Sequence, residues 1–182
     1  MRLLNFSLLV LVSVTYYLVF FFNDYLFSAL AYTDHVNWIY LPSGITLGFV
    51  LVLEEIGVLG IFFPSLLINL QIHPNESTAA ITVTSLITAI TPLIARTICV
   101  KWLGLDEDLS ELNYKKITEC SLIFAFISSA FLQLWFHFKS LDEIFLEDFL
   151  AMFVGDVFGS LIVLFLGAYA IKIYRHFQAR RH

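Results

Sequence analysis

The sequence has few charged residues, few cysteines and few of the residues that interrupt helices. Of 182 residues, 14% are charged, and there are 8 Gly, 4 Pro and 2 Cys. Two cysteines are too few for a disulfide scaffold, and this glycine and proline content excludes a collagen-like chain. The formal net charge of −5 provides no basic face of the kind that binds nucleic acid. We therefore expect no nucleic-acid partner.

Apolar side chains, including 19 Phe, make up most of what is present. They account for 59% of the residues, and the mean hydropathy is +0.85. A water-soluble fold of this composition would have to expose much of what it should bury, and a disordered chain would be far more polar. The composition thus predicts a single integral-membrane domain over residues 1–182, with the lipid bilayer as its surroundings.

Six apolar stretches predict an all-α polytopic bundle of six transmembrane helices. About 20 apolar residues cross the hydrocarbon core of roughly 30 Å as a helix, which satisfies its own backbone polar groups. Four stretches are full length: residues 3–22, 79–100, 117–138 and 149–174. Two more, residues 39–53 and 56–70, are about 22 Å long each at 1.5 Å per residue. Only Glu54-Glu55 separates these two, so they predict either two short spans or a re-entrant hairpin.

The positions of Lys and Arg predict the orientation. With a cytoplasmic amino terminus and six spans, nine of the ten lie inside and only Lys139 lies outside. This bias predicts a multi-pass protein of the inner (plasma) membrane with both termini in the cytoplasm. The first apolar run is longer than the core of a signal peptide, and we expect it to remain as an uncleaved span.

Asp156 is the polar residue that carries most information about function. It is predicted to lie about 10 Å into the last span, where an ionisable group costs at least about 2.5 kcal/mol and has to be compensated. In the fifth span, Ser129, Gln133 and His137 recur every four residues on one face and offer hydrogen bonds at a similar depth. This pattern predicts a ligand-binding or proton-responsive site formed by Asp156, Gln133 and His137. The alternative is a polar contact that only locks helices together.

Glycines four residues apart leave a groove in which another helix can approach closely. Such glycines recur in both the second and the last span, and the second span also opens with a proline, which the first turn of a helix tolerates. The predicted helix-packing residues are Pro42, Gly44, Gly48, Gly155, Gly159 and Gly167.

Three segments together resemble the first family of bacterial membrane-associated sensor domains. They are NWIYLPSGIT at residues 37–46, GIFFPSLL at residues 60–67 and GDVFG at residues 155–159. The resemblance extends over about residues 38 to 165. Members of this family are integral-membrane input modules, usually joined to histidine kinase, diguanylate cyclase or phosphodiesterase domains. The matching positions are Trp38, Pro42, Gly44, Gly155, Asp156 and Gly159, and Trp38 thereby joins the predicted ligand-binding residues.

Two departures from the family modify this expectation. The family commonly has more spans and a basic residue where this chain has Glu54-Glu55, and its members usually carry an output domain that this sequence lacks. We therefore expect a compact stand-alone relative without enzymatic activity. It would bind a small ligand or partner and act in signal transduction through a separate membrane or cytoplasmic protein, such as a signalling enzyme.

The alternative function is the substrate-binding membrane component of a small-solute transporter of the vitamin type, whose partner would be a transport ATPase module. Short spans that face outward are compatible with a midplane binding site. Catalysis is not expected, because no second Asp lies within a span to share a proton with Asp156 and there is no P-loop. No cofactor is expected. His35, His73 and His137 come from separate loops without metal-ligand spacing, so no metal site is predicted.

Overall fold

The computed structural model describes residues 2–27, 29, 31–33, 36–105, 109, 113–140 and 145–179. These residues form α1 (Arg2–Phe27), β1 (Ala31–Thr33), β2 (Val36–Asn37), α2 (Leu41–Leu53), α3 (Glu55–Ile72), α4 (Thr78–Leu103), α5 (Tyr114–Ser140) and α6 (Phe145–Ala179). Five helices, all except α2, are long and apolar enough to cross a membrane. The predicted all-α polytopic bundle of six helices is thereby confirmed, and the strands β1 and β2 add a small antiparallel pair between α1 and α2.

The helices α2 and α3 fold back on each other as a hairpin. The turn is at Glu54, whose φ of 49° lies in the left-handed region. A methyl group on Gly57 would lie 2.9 Å from the carbonyl oxygen of Phe49, whereas one continuous helix would separate these residues by about 12 Å. Arg96 of α4 holds the turn, because Nη2 contacts Glu54 Oε1 at 2.6 Å and Nε donates to the Leu51 carbonyl at 3.2 Å.

The shortest helix, α2, lies at the centre of the bundle and packs against each of the other five. The remaining helices follow one another around it in the order α1, α3, α4, α5 and α6. Seven of the 13 residues of α2 are buried. Leu47 and Leu51 join an apolar cluster with α4 and α5, and Val50 joins a second cluster with α1 and α3. By contrast, α1 exposes large apolar side chains such as Leu3 and Phe6, as expected of a surface that faces lipid.

The helices α2 and α6 pack against each other through the predicted glycines. A methyl group at Gly44 would overlap Val163 and the carbonyl oxygen of Gly159, and one at Gly159 would overlap the carbonyl group of Tyr40. The Tyr40 amide also donates to the Gly155 carbonyl at 3.1 Å. The two close-packing faces predicted from sequence are therefore partners of each other.

The remaining packing residues agree with the prediction except for one. Pro42 is buried within the first turn of α2, and a methyl group at Gly48 would lie 3.1 Å from Leu164. Gly167 is exposed, and no described residue of another helix lies within 4 Å of the position that a Cβ would occupy. The prediction for Gly167 is therefore wrong: the glycine spacing continues along α6, but no other described helix packs closely against this position.

Asn23 of α1 caps the amino terminus of α2. The Leu41 amide donates to Asn23 Oδ1 at 2.8 Å, and Asn23 is only 2% exposed. Tyr40, at the usual capping position, caps the helix with no side-chain hydrogen bond of its own. One of the backbone amides at the start of α2 that has no partner within the helix therefore donates its hydrogen bond to a side chain of a neighbouring helix.

We expect N23A to lower the free energy of unfolding by about 1–2 kcal/mol, because a buried amide loses its acceptor. The neighbouring D24A variant is the control, since Asp24 is exposed and its loss should stay within about 0.5 kcal/mol. Thermal unfolding in detergent measures both variants. Equal stability of the two proteins would contradict the capping role of Asn23.

Candidate functional site

A cavity of about 150 Å³ lies between the helices on the side of the bundle where α2 begins. Every helix contributes to its lining, for example through Tyr16, Thr46, Ser65, Thr88, Ser128 and Asp156. The lining also includes His73 and Glu76 from the connection between α3 and α4, both partly exposed. We call this exposed end the mouth and the end at Asp156 the floor. A cavity of this volume accommodates about six non-hydrogen atoms, the size of benzene.

The glycine contacts between α2 and α6 bring Ser43 to Asp156. Asp156 is 1% exposed, and one of its carboxylate oxygens, Oδ1, accepts a hydrogen bond from Ser43 Oγ. The other oxygen, Oδ2, has no hydrogen-bond partner among the described residues. Ser128 and Ser129 of α5 lie beside the carboxylate, and Ser129 Oγ also has no partner there. The floor thus holds a buried carboxylate that hydroxyl groups surround but do not fully satisfy.

Asp156 lies deeper in its helix than the sequence predicts. It follows Phe145, the first described residue of α6, by eleven positions, which places it about 16 Å along the helix. The predicted depth of about 10 Å assumed that the span begins at Phe149. The acidic residues Glu147 and Asp148 belong instead to the first turn of α6, where carboxylates interact favourably with the helix dipole.

Aromatic residues of α1 and α5 and the residue before α2 line the cavity. Tyr16 is 2% exposed, and its hydroxyl lies near the hydroxyl groups of Tyr40 and Ser65. The rings of Phe20 and Tyr40 meet edge to face, with centroids 6.4 Å apart. Phe124 and Phe136 of α5 also line the cavity. The lining therefore contains aromatic side chains as well as hydroxyl groups.

Two polar contacts connect the helices around the mouth. Lys139 Nζ at the end of α5 lies 2.5 Å from Glu76 Oε2, and each of these side chains is about 30% exposed. Trp135 Nε1 donates to Thr84 Oγ1 at 3.0 Å, and Thr84 lines the cavity. These contacts tie α5 to α4 and to the connection that precedes it.

The structure does not bring the other predicted site residues to the cavity. Gln133 is buried, but its Nε2 donates to Met152 Sδ at 3.7 Å. His137 packs its ring on Phe145 with centroids 5.7 Å apart, and Trp38 is 42% exposed. None of these three predicted residues lines the cavity.

The reason is the depth at which α5 meets α6. The predicted polar stripe of α5 reaches the carboxylate at Ser129, and each later member lies about 6 Å further along the helix. Gln133 is therefore level with Met152, one turn before Asp156 on α6. The backbone of Trp38 lies close to α6, because its carbonyl carbon would be 3.5 Å from a methyl group on Gly155.

Sequence reasoning missed most of the hydroxyl groups at the site. Ser43 lies inside the segment singled out around Pro42, and Ser128 precedes the predicted Ser129, so both were close to recognised signals. Tyr16 and Ser65 lie in apolar runs that show no polar pattern of their own. Only the packing of α1 and α3 around α2 places them at the cavity.

The described residues contain no group of three or more His, Cys, Asp or Glu side chains that could hold a metal ion. His35, one of the three histidines considered from sequence, lies outside the described residues. The chemistry available at the floor is that of one carboxylate and several hydroxyl groups. These groups can accept hydrogen bonds and compensate a positive charge.

No family model matches this chain, and no curated protein or solved structure matches it either.

Proposed function

We propose that this chain is a non-enzymatic integral-membrane sensor that binds a small ligand in the cavity at Asp156 and signals through a separate protein. The supporting observation is a carboxylate, 1% exposed, that lines a cavity of about 150 Å³ and has one oxygen without a partner. Buried polar groups are usually satisfied, and leaving one unsatisfied costs free energy. A carboxylate that only locked α2 to α6 would gain nothing from this arrangement.

The position of the cavity supports a role in transmitting a signal. Ser43 belongs to α2, which packs against every other helix, and Asp156 belongs to α6. A ligand that changed the contact between these two side chains would bias how α2 packs in the whole bundle. The helix α6 has 35 residues and is about 52 Å long, so it extends well beyond a hydrocarbon core of about 30 Å. It joins the binding site to a surface outside the membrane that a partner can reach.

We also propose a subcellular location for the protein. Five apolar helices support residence in a membrane, and the distribution of Lys and Arg supports the inner (plasma) membrane with both termini in the cytoplasm. The mouth, with Glu76 and Lys139, then faces outward. The resemblance of residues 38–165 to the first family of bacterial membrane-associated sensor domains supports a bacterial sensor that acts on a signalling enzyme.

The proposal predicts that D156N changes signalling while the protein stays folded. Asn retains an oxygen that accepts the hydrogen bond from Ser43, so we expect the abundance of D156N in the membrane to match wild type. We expect its signalling output, measured as second-messenger and transcript levels in cells that carry only the variant, to differ from wild type. Solute uptake in the same cells should be unchanged.

The control is S121A, which removes a fully buried hydroxyl of α5. Like Asp156 Oδ2, this hydroxyl has no hydrogen-bond partner among the described residues. Ser121 does not line the cavity, so S121A should signal as wild type does. If D156N is present at wild-type abundance and is indistinguishable from S121A in signalling and uptake, the carboxylate has only a structural role and the proposal is wrong.

The alternative, a substrate-binding component of a small-solute transporter, is favoured by one feature. The cavity is lined by all six helices and extends from a partly exposed mouth to a floor within the bundle, as in binding sites near the membrane midplane. Loss of uptake of one solute by D156N, with unchanged signalling, would replace the sensor proposal by this one. A transport ATPase module that purifies with the chain in mild detergent would support the same conclusion.

A further inference from the structure

We infer that the cavity at Asp156 selects a small organic cation with a primary ammonium group. This inference rests on the proposed function, since it assumes that the cavity is a ligand site, and it specifies the chemical class of the ligand. Three features of the described lining support it. They are the charge of the lining residues, the hydrogen-bond acceptors at the floor, and the volume of the cavity together with its aromatic side chains.

The charge of the lining favours a cation. Asp156 at the floor and Glu76 at the mouth are acidic, and none of the described residues that line the cavity is Lys or Arg. Lys139 lies against Glu76 at the mouth, which leaves the carboxylate at the floor without a basic partner in the lining. In a medium of low polarity a carboxylate attracts a cation and repels an anion more than it does in water.

The hydrogen-bonding groups at the floor favour a ligand that donates. An ammonium group has three N–H donors and no acceptor. Asp156 Oδ2 has no hydrogen-bond partner among the described residues, and Ser128, which lines the cavity, lies beside the same carboxylate. An ammonium nitrogen beside these two groups would donate to the carboxylate oxygen and to the Ser128 hydroxyl oxygen at once. An alcohol has a single donor and would leave some of these acceptors unsatisfied.

The size and walls of the cavity favour an organic cation over a bare metal ion. A volume of about 150 Å³ holds about six non-hydrogen atoms. Rings of Tyr16, Phe20, Tyr40, Phe124 and Phe136 line it, and aromatic faces attract organic cations and pack against alkyl chains. A divalent metal ion would need several oxygen ligands with more than one carboxylate in reach, and the floor has one.

The test uses the full-length protein in nanodiscs at neutral pH with three probes of nearly equal size: butylammonium, 1-butanol and butyrate. Binding is measured by isothermal titration calorimetry. The fluorescence of Trp135, which donates to the cavity residue Thr84, provides a second measurement. We expect saturable binding of butylammonium, and much weaker or no binding of 1-butanol and butyrate.

Variants locate the site. We expect D156N to weaken butylammonium binding at least about thirtyfold, because the ion pair is lost, and S128A to weaken it about tenfold, because one acceptor is lost. S121A is the matched control for S128A, since both serines are buried residues of α5 but only Ser128 lines the cavity. S121A should bind as wild type does. The melting temperature of each variant, measured without ligand, identifies any that fail to fold. S128A tests the site independently of D156N.

The outcomes separate this inference from the proposed function. If the protein binds 1-butanol or butyrate better than butylammonium, and this binding depends on Asp156, the proposed ligand class is wrong but the cavity remains a ligand site. Asp156-dependent binding of Na⁺, with no binding of butylammonium, would assign the floor to a bare ion. If D156N alters signalling but the wild-type protein does not bind butylammonium, the proposed ligand class is wrong and the proposed function stands. Butylammonium binding that is unchanged in both D156N and S128A would place the ligand elsewhere.

Discussion

Replacing Gly159 by alanine is expected to remove most of the folded protein. The added methyl group would overlap the carbonyl oxygen and carbonyl carbon of Tyr40. These are backbone atoms at the start of α2, so the overlap is relieved only if α2 moves away from α6. Overpacking against side chains costs about 1–3 kcal/mol, and we expect a loss of at least about 3 kcal/mol here. A larger residue such as leucine should lower the abundance of the protein in the membrane further.

The matched control for G159A is G167A, on the same helix. Among the described residues, none from another helix lies within 4 Å of the position that its methyl group would occupy. Alanine in the middle of a helix is favoured over glycine by about 0.5–1 kcal/mol, so G167A should be as stable as wild type or slightly more stable. Thermal unfolding in detergent and the yield of folded protein measure both variants. Wild-type stability of G159A would contradict the close contact between α2 and α6.

The effect of G159A should extend to the site. Ser43 reaches Asp156 only because the first turn of α2 lies directly on α6. Any G159A protein that does fold should therefore bind ligand more weakly, although Asp156 itself is unchanged. G167A should retain ligand binding.

The second large effect is expected at the turn between α2 and α3. Arg96 is 11% exposed, pairs with Glu54 and donates to the Leu51 carbonyl. R96Q removes the charged donor from both, and hydrogen bonds to charged groups contribute about 1.5–3 kcal/mol each. We expect a loss of stability near the upper end of this range. E54Q should cost less, because the Glu54 side chain is 54% exposed and the contact of Arg96 with Leu51 remains.

A double-mutant cycle separates the two contacts of Arg96. The E54Q/R96Q protein should be only slightly less stable than R96Q, because the ion pair is already absent in R96Q. K101Q is the control for the loss of one positive charge at the same end of α4, since Lys101 is exposed, and it should cost less than about 0.5 kcal/mol. If R96Q and K101Q have equal effects, Arg96 acts only through its charge and does not hold the hairpin.

Much of the fold follows from the sequence, because its signals are local. Each long apolar run has to form a helix in lipid, where backbone groups have no water to bind. The close approach at Gly44 and Gly159 follows from the same kind of signal, since a missing side chain is visible in the sequence. The sequence could not show that these two faces are partners, because the spacing of glycines along one helix does not identify the helix that packs against it. Gly167 continues the same spacing, and no other helix in the described part of the chain packs closely against it.

The candidate site was only partly predictable for a related reason. The exceptional cost of a carboxylate in an apolar span identifies Asp156 from the sequence alone. Ser43, Tyr16 and Ser65 carry no such cost, because hydroxyl groups occur in membrane helices for many reasons. Gln133 follows the correct face of α5 but lies one turn too far along it.

The sequence by itself determined that this chain is a polytopic membrane helix bundle with one carboxylate deep in its last helix. Hydrophobicity, helix length and the cost of burying charge are properties of each segment and need no partner. The tertiary structure decided that the shortest apolar segment, α2, is the centre of the bundle and that the polar groups of six helices meet around one cavity. Such contacts depend on the depth and rotation at which helices pack, and these are set by the surfaces of two helices together.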